Sequence, residues 1–157
     1  MERSARTGWA SVRPVADALG VPEDDVLRAL GGGWEPFELQ VGEWPATRWA
    51  GARWWVMGEP HQVLVGVAGA SVVLARPVLR WDGPGQVTAH ASDEREFARD
   101  DVLYQPELLA DTVEEIARRS RRSFRWCRTC RRLSRSEHMR DRVECMECAA
   151  GFSRVVH

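Results

Sequence analysis

The chain contains no lysine and no asparagine, and Ile116 is its single isoleucine. All 22 basic residues are therefore arginine, the bias of a gene from a GC-rich genome. That bias explains why a cation is Arg instead of Lys, so only the placement of the arginines carries information. Long apolar runs are missing too. The longest, Val63 to Ala75, is interrupted by Gly66, Gly69 and Ser71, whereas a membrane span needs about 18 to 20 apolar residues. Met1 to Ser11 carries charges with no apolar stretch behind them, so no secretory leader is expected. With 44% hydrophobic and 29% charged residues over 157 positions, the expectation is a globular, cytoplasmic protein with no membrane partner.

What is present is unevenly placed. Residues 118–157 hold 12 arginines against 4 acids, a balance of +8, while residues 1–117 hold 10 against 19, a balance of −9. The net charge of −1 hides a molecule that is acidic at the front and basic at the back.

The 4 cysteines form two pairs, Cys127-Arg-Thr-Cys130 and Cys145-Met-Glu-Cys148, with residues 131–144 between them. Each CxxC turns two thiolates toward one point, and two such pairs supply the four soft ligands of a tetrahedral Zn²⁺. No cysteine is left over, so a closed structural Zn²⁺ site is expected, with no open position for catalysis. Neither pair follows a strand and opens a helix in a βαβ unit, as a thioredoxin-like redox pair does. A thiolate-bound zinc also agrees with a reducing compartment.

The segment 124–152 resembles a zinc-ribbon or treble-clef zinc finger, about a fifth of the chain. The two differ after the last CxxC, where ribbons continue as a strand and treble clefs as a helix. Gly151 and the β-branched Val155-Val156 point to a ribbon. Arg131 and Ala149 stand where many such knuckles carry glycine, at a position that requires positive φ. HNH nucleases join a two-knuckle finger to catalytic His and Asn; here His138 is the single histidine between the pairs and asparagine is absent, so a nuclease of that kind is not expected. His61, His90 and His157 form no pattern.

Upstream, Val12, Val15, Ala16 and Leu19 form one helical stripe, Gly20 breaks it, and Pro22 opens a second helix with Val26, Leu27 and Leu30. The spacing Ala16-x3-Gly20-x5-Val26 resembles that of a helix-turn-helix. A DNA-reading helix turns its N-terminus to the duplex, yet this one begins Pro22-Glu23-Asp24-Asp25, carboxylates that suit a helix dipole and repel phosphate. A packing or protein-docking pair of helices is expected.

From Trp34 to Ala91 the texture is β, with strands expected at 63–67, 71–74, 78–81 and 86–90 and a turn at Asp82-Gly83-Pro84-Gly85. Seven of eight tryptophans lie at or before position 81. Arg48 and Arg53 interleave with Trp44, Trp49, Trp54 and Trp55, which is one way to stack single-stranded bases. Filling a small core is the other use of such rings, and it is the expectation here. Adjacent Trp54 and Trp55 must face opposite sides of a strand, which places one of them outside the main core.

Residues 93–104 read as an acidic linker, without the strand-like alternation of a carboxylate metal nuclease. Pro106 then opens an amphipathic helix carrying Leu108, Leu109, Val113, Ile116 and Ala117, with Glu114–Arg118 and Glu115–Arg119 spaced for i,i+4 pairs.

The sequence thus predicts an α+β protein: a helical pair (11–30), a Trp-rich antiparallel sheet (34–91), the acidic linker, a connecting helix (105–123) and a C-terminal zinc ribbon (124–157). A non-enzymatic nucleic-acid-binding role follows, with Arg118, Arg119, Arg121, Arg122, Arg125, Arg128, Arg131 and Arg132 on phosphates and Trp126 or Phe124 on a base. A protein partner docked on the ribbon and a Trp-rich surface is the alternative.

Overall fold

The structure is a computed structural model that describes residues 11–39, 49, 51–81 and 87–153. Trp9, Trp44, Arg48, the turn at 82–85 and the tail 154–157 lie outside the described residues.

Two short helices open the described chain, α1 (Arg13–Leu19) and α2 (Glu23–Leu30). Gly20 ends α1 with φ 67°, and the N–H groups of Gly20 and Val21 both return to the Ala16 carbonyl, 2.8 and 3.1 Å away. A residue without a Cβ takes that left-handed conformation at no steric cost. Val15, Ala16 and Leu19 of α1 and Val26, Ala29 and Leu30 of α2 are buried; Glu23 and Asp24 are exposed at the start of α2, where they favour its positive dipole end.

Five strands follow in an antiparallel sheet of simple sequential order: β1 (Trp34–Phe37), β2 (Arg53–Met57), β3 (Val63–Ala68), β4 (Ser71–Trp81) and β5 (Val87–Ala98). Two expectations change here. The segments 71–74 and 78–81 are parts of one strand that runs through Pro77, and the acidic stretch from 93 is the second half of β5 instead of a linker. Pro77 is tolerated because β3 pairs with β4 only from Ser71 to Ala75, so no ladder bond from that side needs its missing N–H. The register of β4 and β5 slips between Leu74 and Arg76, where Asp93 adopts φ 53° and turns its carboxylate to Arg76, 3.2 Å away. The charges of β5 alternate between its two faces and are engaged from outside the strand, Glu94 by Trp49 and Arg95 by Glu115. Arg95 donates both terminal nitrogens to Glu115, and that bond holds the Glu115 carboxyl below its ordinary range.

Both faces of the sheet are covered. On one, Trp55, Val63, Val65, Val67, Val72 and Leu74 join α1, α2 and two further helices, α3 (Asp101–Tyr104) and α4 (Pro106–Arg122). On the other, Trp54, Val56, Leu64 and Val73 meet Trp49. Trp54 and Trp55 therefore face opposite ways, as period two requires, and of the tryptophans expected to fill a core the described Trp34, Trp49, Trp54 and Trp55 do so. Their polar edges are also used. The Trp49 indole donates to Glu94 at 2.7 Å, the Trp34 indole donates to the Gly31 carbonyl, and the Arg53 guanidinium lies 5.1 Å over the Trp55 ring. These rings are not a surface for bases.

Trp54 lies across from Gly66 on β3, and a Cβ at Gly66 would meet three of its ring carbons at 2.8–2.9 Å. The indole covers the space a side chain would need. Gly66→Ala is expected to cost about 1–3 kcal/mol in urea unfolding, with overpacking as the cause. Wild-type stability in that variant would mean that Trp54 has room to move.

Helix α4 is a core element. Leu109 and Ile116 are fully buried and each contributes about 1.5–3 kcal/mol. Leu108, expected in the apolar stripe, is exposed, and Thr112 and Ser120 are buried in that face instead. Both hydroxyls are satisfied: Thr112 donates to the Leu108 carbonyl and Ser120 to the Gln62 carbonyl at 2.6 Å. Of the expected i,i+4 pairs, Glu115–Arg119 forms at 3.9 Å, while Glu114 pairs with Arg121 at 2.9 Å.

Candidate metal centre

After α4 the chain forms a small hairpin, β6 (Phe124–Trp126) and β7 (Leu133–Arg135), and ends its described part with a helix, α5 (Met146–Ser153). The first cysteine pair sits in the turn of the hairpin. The second sits at the start of α5, where Ala149 N–H reaches the Cys145 carbonyl at 3.0 Å. The expected ribbon strand after the last CxxC is thus corrected to a helix. Met146, Glu147, Ala149 and Ala150 are good helix formers, and they outweigh the single Gly151.

The sulfur atoms of Cys127, Cys130, Cys145 and Cys148 all lie within 4.8 Å of one another. Cys127 and Cys148 are 3.7 Å apart, and Cys130 and Cys145 3.9 Å. A disulfide needs about 2.05 Å, so these are free cysteines. Four sulfurs at Zn–S bonds of about 2.3 Å define a tetrahedron with edges near 3.8 Å, so the spacing fits one such ion. The four cysteines can hold a metal ion.

Backbone donors prepare the site for negative sulfur. Cys145 N–H points at the Cys127 sulfur from 3.3 Å, and hydrogen bonds from the Cys130 and Cys145 backbone draw the Cys127 thiol down to about 6. The Arg132 backbone and guanidinium lower Cys130 as well. Cys148 moves the other way, to about 12, because its thiol shares hydrogen bonds with the other sulfurs, Cys145 first. Asp141 shapes the loop that returns to Cys145: one of its oxygens accepts the N–H groups of Val143 and Glu144, both at 2.8 Å, which holds its carboxyl low.

Among the described residues of 124–151 the buried apolar side chains besides the cysteines are Phe124, Met139 and Ala149, and Met139 alone clusters with the sulfurs. That is too little apolar surface to hold a segment of this size without a staple.

Arg131 follows the first pair with φ 59°, so the conformation expected of a glycine is present without one. A non-glycine residue there costs about 1–2 kcal/mol. Arg131→Gly is expected to raise the melting temperature of the metal-loaded protein, with about 1 kcal/mol gained; a lower melting temperature would show that the Arg131 side chain contributes more than its strain removes.

The basic residues named from sequence divide into two groups. Arg119 is engaged by Asp93 and Glu115, Arg121 by Glu114, and Arg132 by Glu147. Arg125 donates to the carbonyls of Arg122 and Phe124. Arg118, Arg122, Arg128 and Arg131 are exposed and, among the described residues, have no carboxylate within ion-pair distance. Trp126 is 65% exposed on β6, while Phe124 on the same strand is buried.

The residue that sequence reasoning missed is Arg135. It is 4% exposed, donates Nε to Glu137 at 3.1 Å and Nη1 to the His61 carbonyl at 2.6 Å, and reaches the Pro77 carbonyl through Nη2. Those carbonyls belong to the loop before β3 and to the part of β4 that runs on past β3. One guanidinium thus fastens the hairpin of the cysteine module to the unpaired side of the sheet. Nothing in the sequence marks it among its neighbours. His138 is exposed and lies outside the four-sulfur group.

No helix among the described residues is long and apolar enough to cross a membrane. No known protein family, curated protein or solved structure matches the chain.

Proposed function

We propose that residues 124–151 form a treble-clef-like module around a structural Zn²⁺, and that the surface held in place by this ion binds nucleic acid. Hairpin, loop and helix in that order, with one cysteine pair at the hairpin turn and one at the helix start, support the treble-clef reading. Four thiolates fill a tetrahedral zinc shell, so the ion would be structural.

The single observation that carries the binding reading is Trp126, 65% exposed on a strand whose neighbours Arg125 and Arg128 are exposed guanidinium groups. A large aromatic left in water beside arginines suits stacking on a base with phosphates alongside. Arg118, Arg122 and Arg131 extend the unpaired cationic surface. Arg119, Arg121 and Arg132 are the weaker candidates, since a phosphate would have to displace exposed carboxylates from them. The adaptor alternative needed a Trp-rich surface, and Trp34, Trp49, Trp54 and Trp55 are buried.

Fluorescence anisotropy with labelled single-stranded DNA, duplex DNA and RNA at two salt concentrations tests the reading. Binding is expected to be micromolar at low salt and to weaken steeply as salt rises. Arg118→Ser, Arg122→Ser and Arg128→Ser combined should flatten that salt dependence, and Trp126→Ala should weaken single strands by about 1–3 kcal/mol. If the zinc-loaded protein binds none of the three at low salt, the nucleic-acid reading is wrong.

A further inference from the structure

Between the cysteine module and the face of the sheet away from the helices lies a cleft of about 660 Å³. We propose that it is a binding site for an organic cation on an apolar or planar body, a guanidinium or ammonium group with its stem. The volume lies in the range of small-ligand pockets, which favour junctions between structural units. Its apolar lining comes from both sides: Phe37, Leu79 and Ala89 from the sheet, Leu133 and Met146 from the module.

The charge of the ligand follows from which lining groups are already neutralised. Arg132 is held by Glu147 at 3.1 Å and lies against the Cys130 sulfur. Arg135 spends its donors on Glu137 and two carbonyls. His61 is kept below its ordinary range, chiefly by burial, so it is neutral at physiological pH. Glu38 and Glu59 also line the cleft, and neither has an arginine within ion-pair distance among the described residues. Cys130 and Cys145 line it as well.

The wall is shaped for a flat cation. Phe37 and His61 meet edge to face, their ring centroids 5.4 Å apart, and form an aromatic corner beside these carboxylates. A guanidinium can stack on such a ring while its N–H groups reach a carboxylate. The same charge would repel phosphate, so this cleft and the exposed arginine surface serve different ligands, and neither proposal depends on the other.

The test uses the full chain loaded with zinc, titrated with three probes and followed by NMR. Agmatine represents a free small cation, a capped Gly-Arg-Gly tripeptide represents an arginine within a protein, and the tripeptide with norleucine for arginine is the neutral control. The cationic probes are expected to shift the signals of His61, Ala89 and Met146, and the control is not. Because Glu38 and Glu59 are exposed, Glu38→Gln with Glu59→Gln should leave the spectrum folded and weaken the cationic probes by roughly fivefold or more. Peptide binding about tenfold tighter than agmatine would assign an arginine side chain of a partner; equal affinities would assign a free cation. Absence of shifts with both cationic probes would overturn the proposal. So would equal shifts with the norleucine peptide, or undiminished binding in the double variant.

Discussion

Replacing Cys145 with serine is expected to empty the metal site and unfold residues 124–151, while the sheet and α4 stay folded. The wild-type protein should purify with one zinc per chain and the variant with none. On the proposed reading the ion holds this segment, because among the described residues only Met139 is buried in one cluster with the cysteines. A structural zinc in a small module contributes about 10–16 kcal/mol near pH 7. No apolar contact within the module can replace that. Hydrogen exchange followed by mass spectrometry would read the outcome directly, as lost protection in 124–151 and retained protection in β2 to β4. A strong chelator should reproduce the effect.

Acidity should act in the same direction. Each thiol must lose its proton to bind the ion, so apparent affinity falls as pH falls. Cys127, drawn down to about 6, is already ionised at neutral pH, and its contribution is lost as pH drops through that value. Cys148, pushed up to about 12, needs the ion itself to remove its proton. Zinc retention against a chelator is therefore expected to be firm at pH 7.5 and to collapse below about pH 6. A metal-free protein with full protection in 124–151 would show that something other than the ion holds the module.

Arg135→Leu should be the most destabilising exchange of any described arginine, by about 3–5 kcal/mol. The side chain is 4% exposed, and its removal takes one partner from Glu137 and the Arg135 hydrogen bonds from the carbonyls of His61 and Pro77. Arg135→Lys keeps the charge but loses the fork that reaches three acceptors in different directions, so it should fall between wild type and Leu. Denaturant unfolding gives the stability, and zinc content under native conditions separates the two roles of the module. An anchor variant should still carry its ion. A cost within about 0.5 kcal/mol, the level of an ordinary surface exchange, would mean that Arg135 is not the fastening described.

The most legible parts of the chain were those where chemistry or geometry admits few solutions. Two CxxC pairs pointed to one metal site because four soft ligands at that spacing have little else to do. Gly20 between two apolar stripes marked the turn of α1 into α2, and the Trp54–Trp55 pair placed one of its two rings outside the main core. The failures have physical causes as well. The acidic stretch read as a linker because its charges are visible in sequence, whereas their partners Arg76, Glu115 and Arg119 are brought to it only by the fold. The strands expected at 71–74 and 78–81 are one, because Pro77 between them lies where β4 has outrun β3 and no bond from that side needs its N–H. Helix α5 was hidden by the β-branched tail, although its first turns are made of helix formers. Arg135 was invisible because burial, not residue type, gives it its role.

The two outermost strands of the sheet have one more consequence. An open sheet offers rows of free amide groups to which a second chain can add, and that templated addition is how many β-rich proteins precipitate. Here β1 carries Pro36, which has no N–H to offer, and β5 is kinked at Asp93 and studded with Glu94, Arg95 and Glu96. A foreign strand docking along β5 would meet the backbone irregularity at Asp93 and would have to set its own side chains beside Glu94, Arg95 and Glu96. The acidic run is thus expected to act as a guard rail, disfavouring strand addition along the edge of a sheet rich in tryptophan and valine.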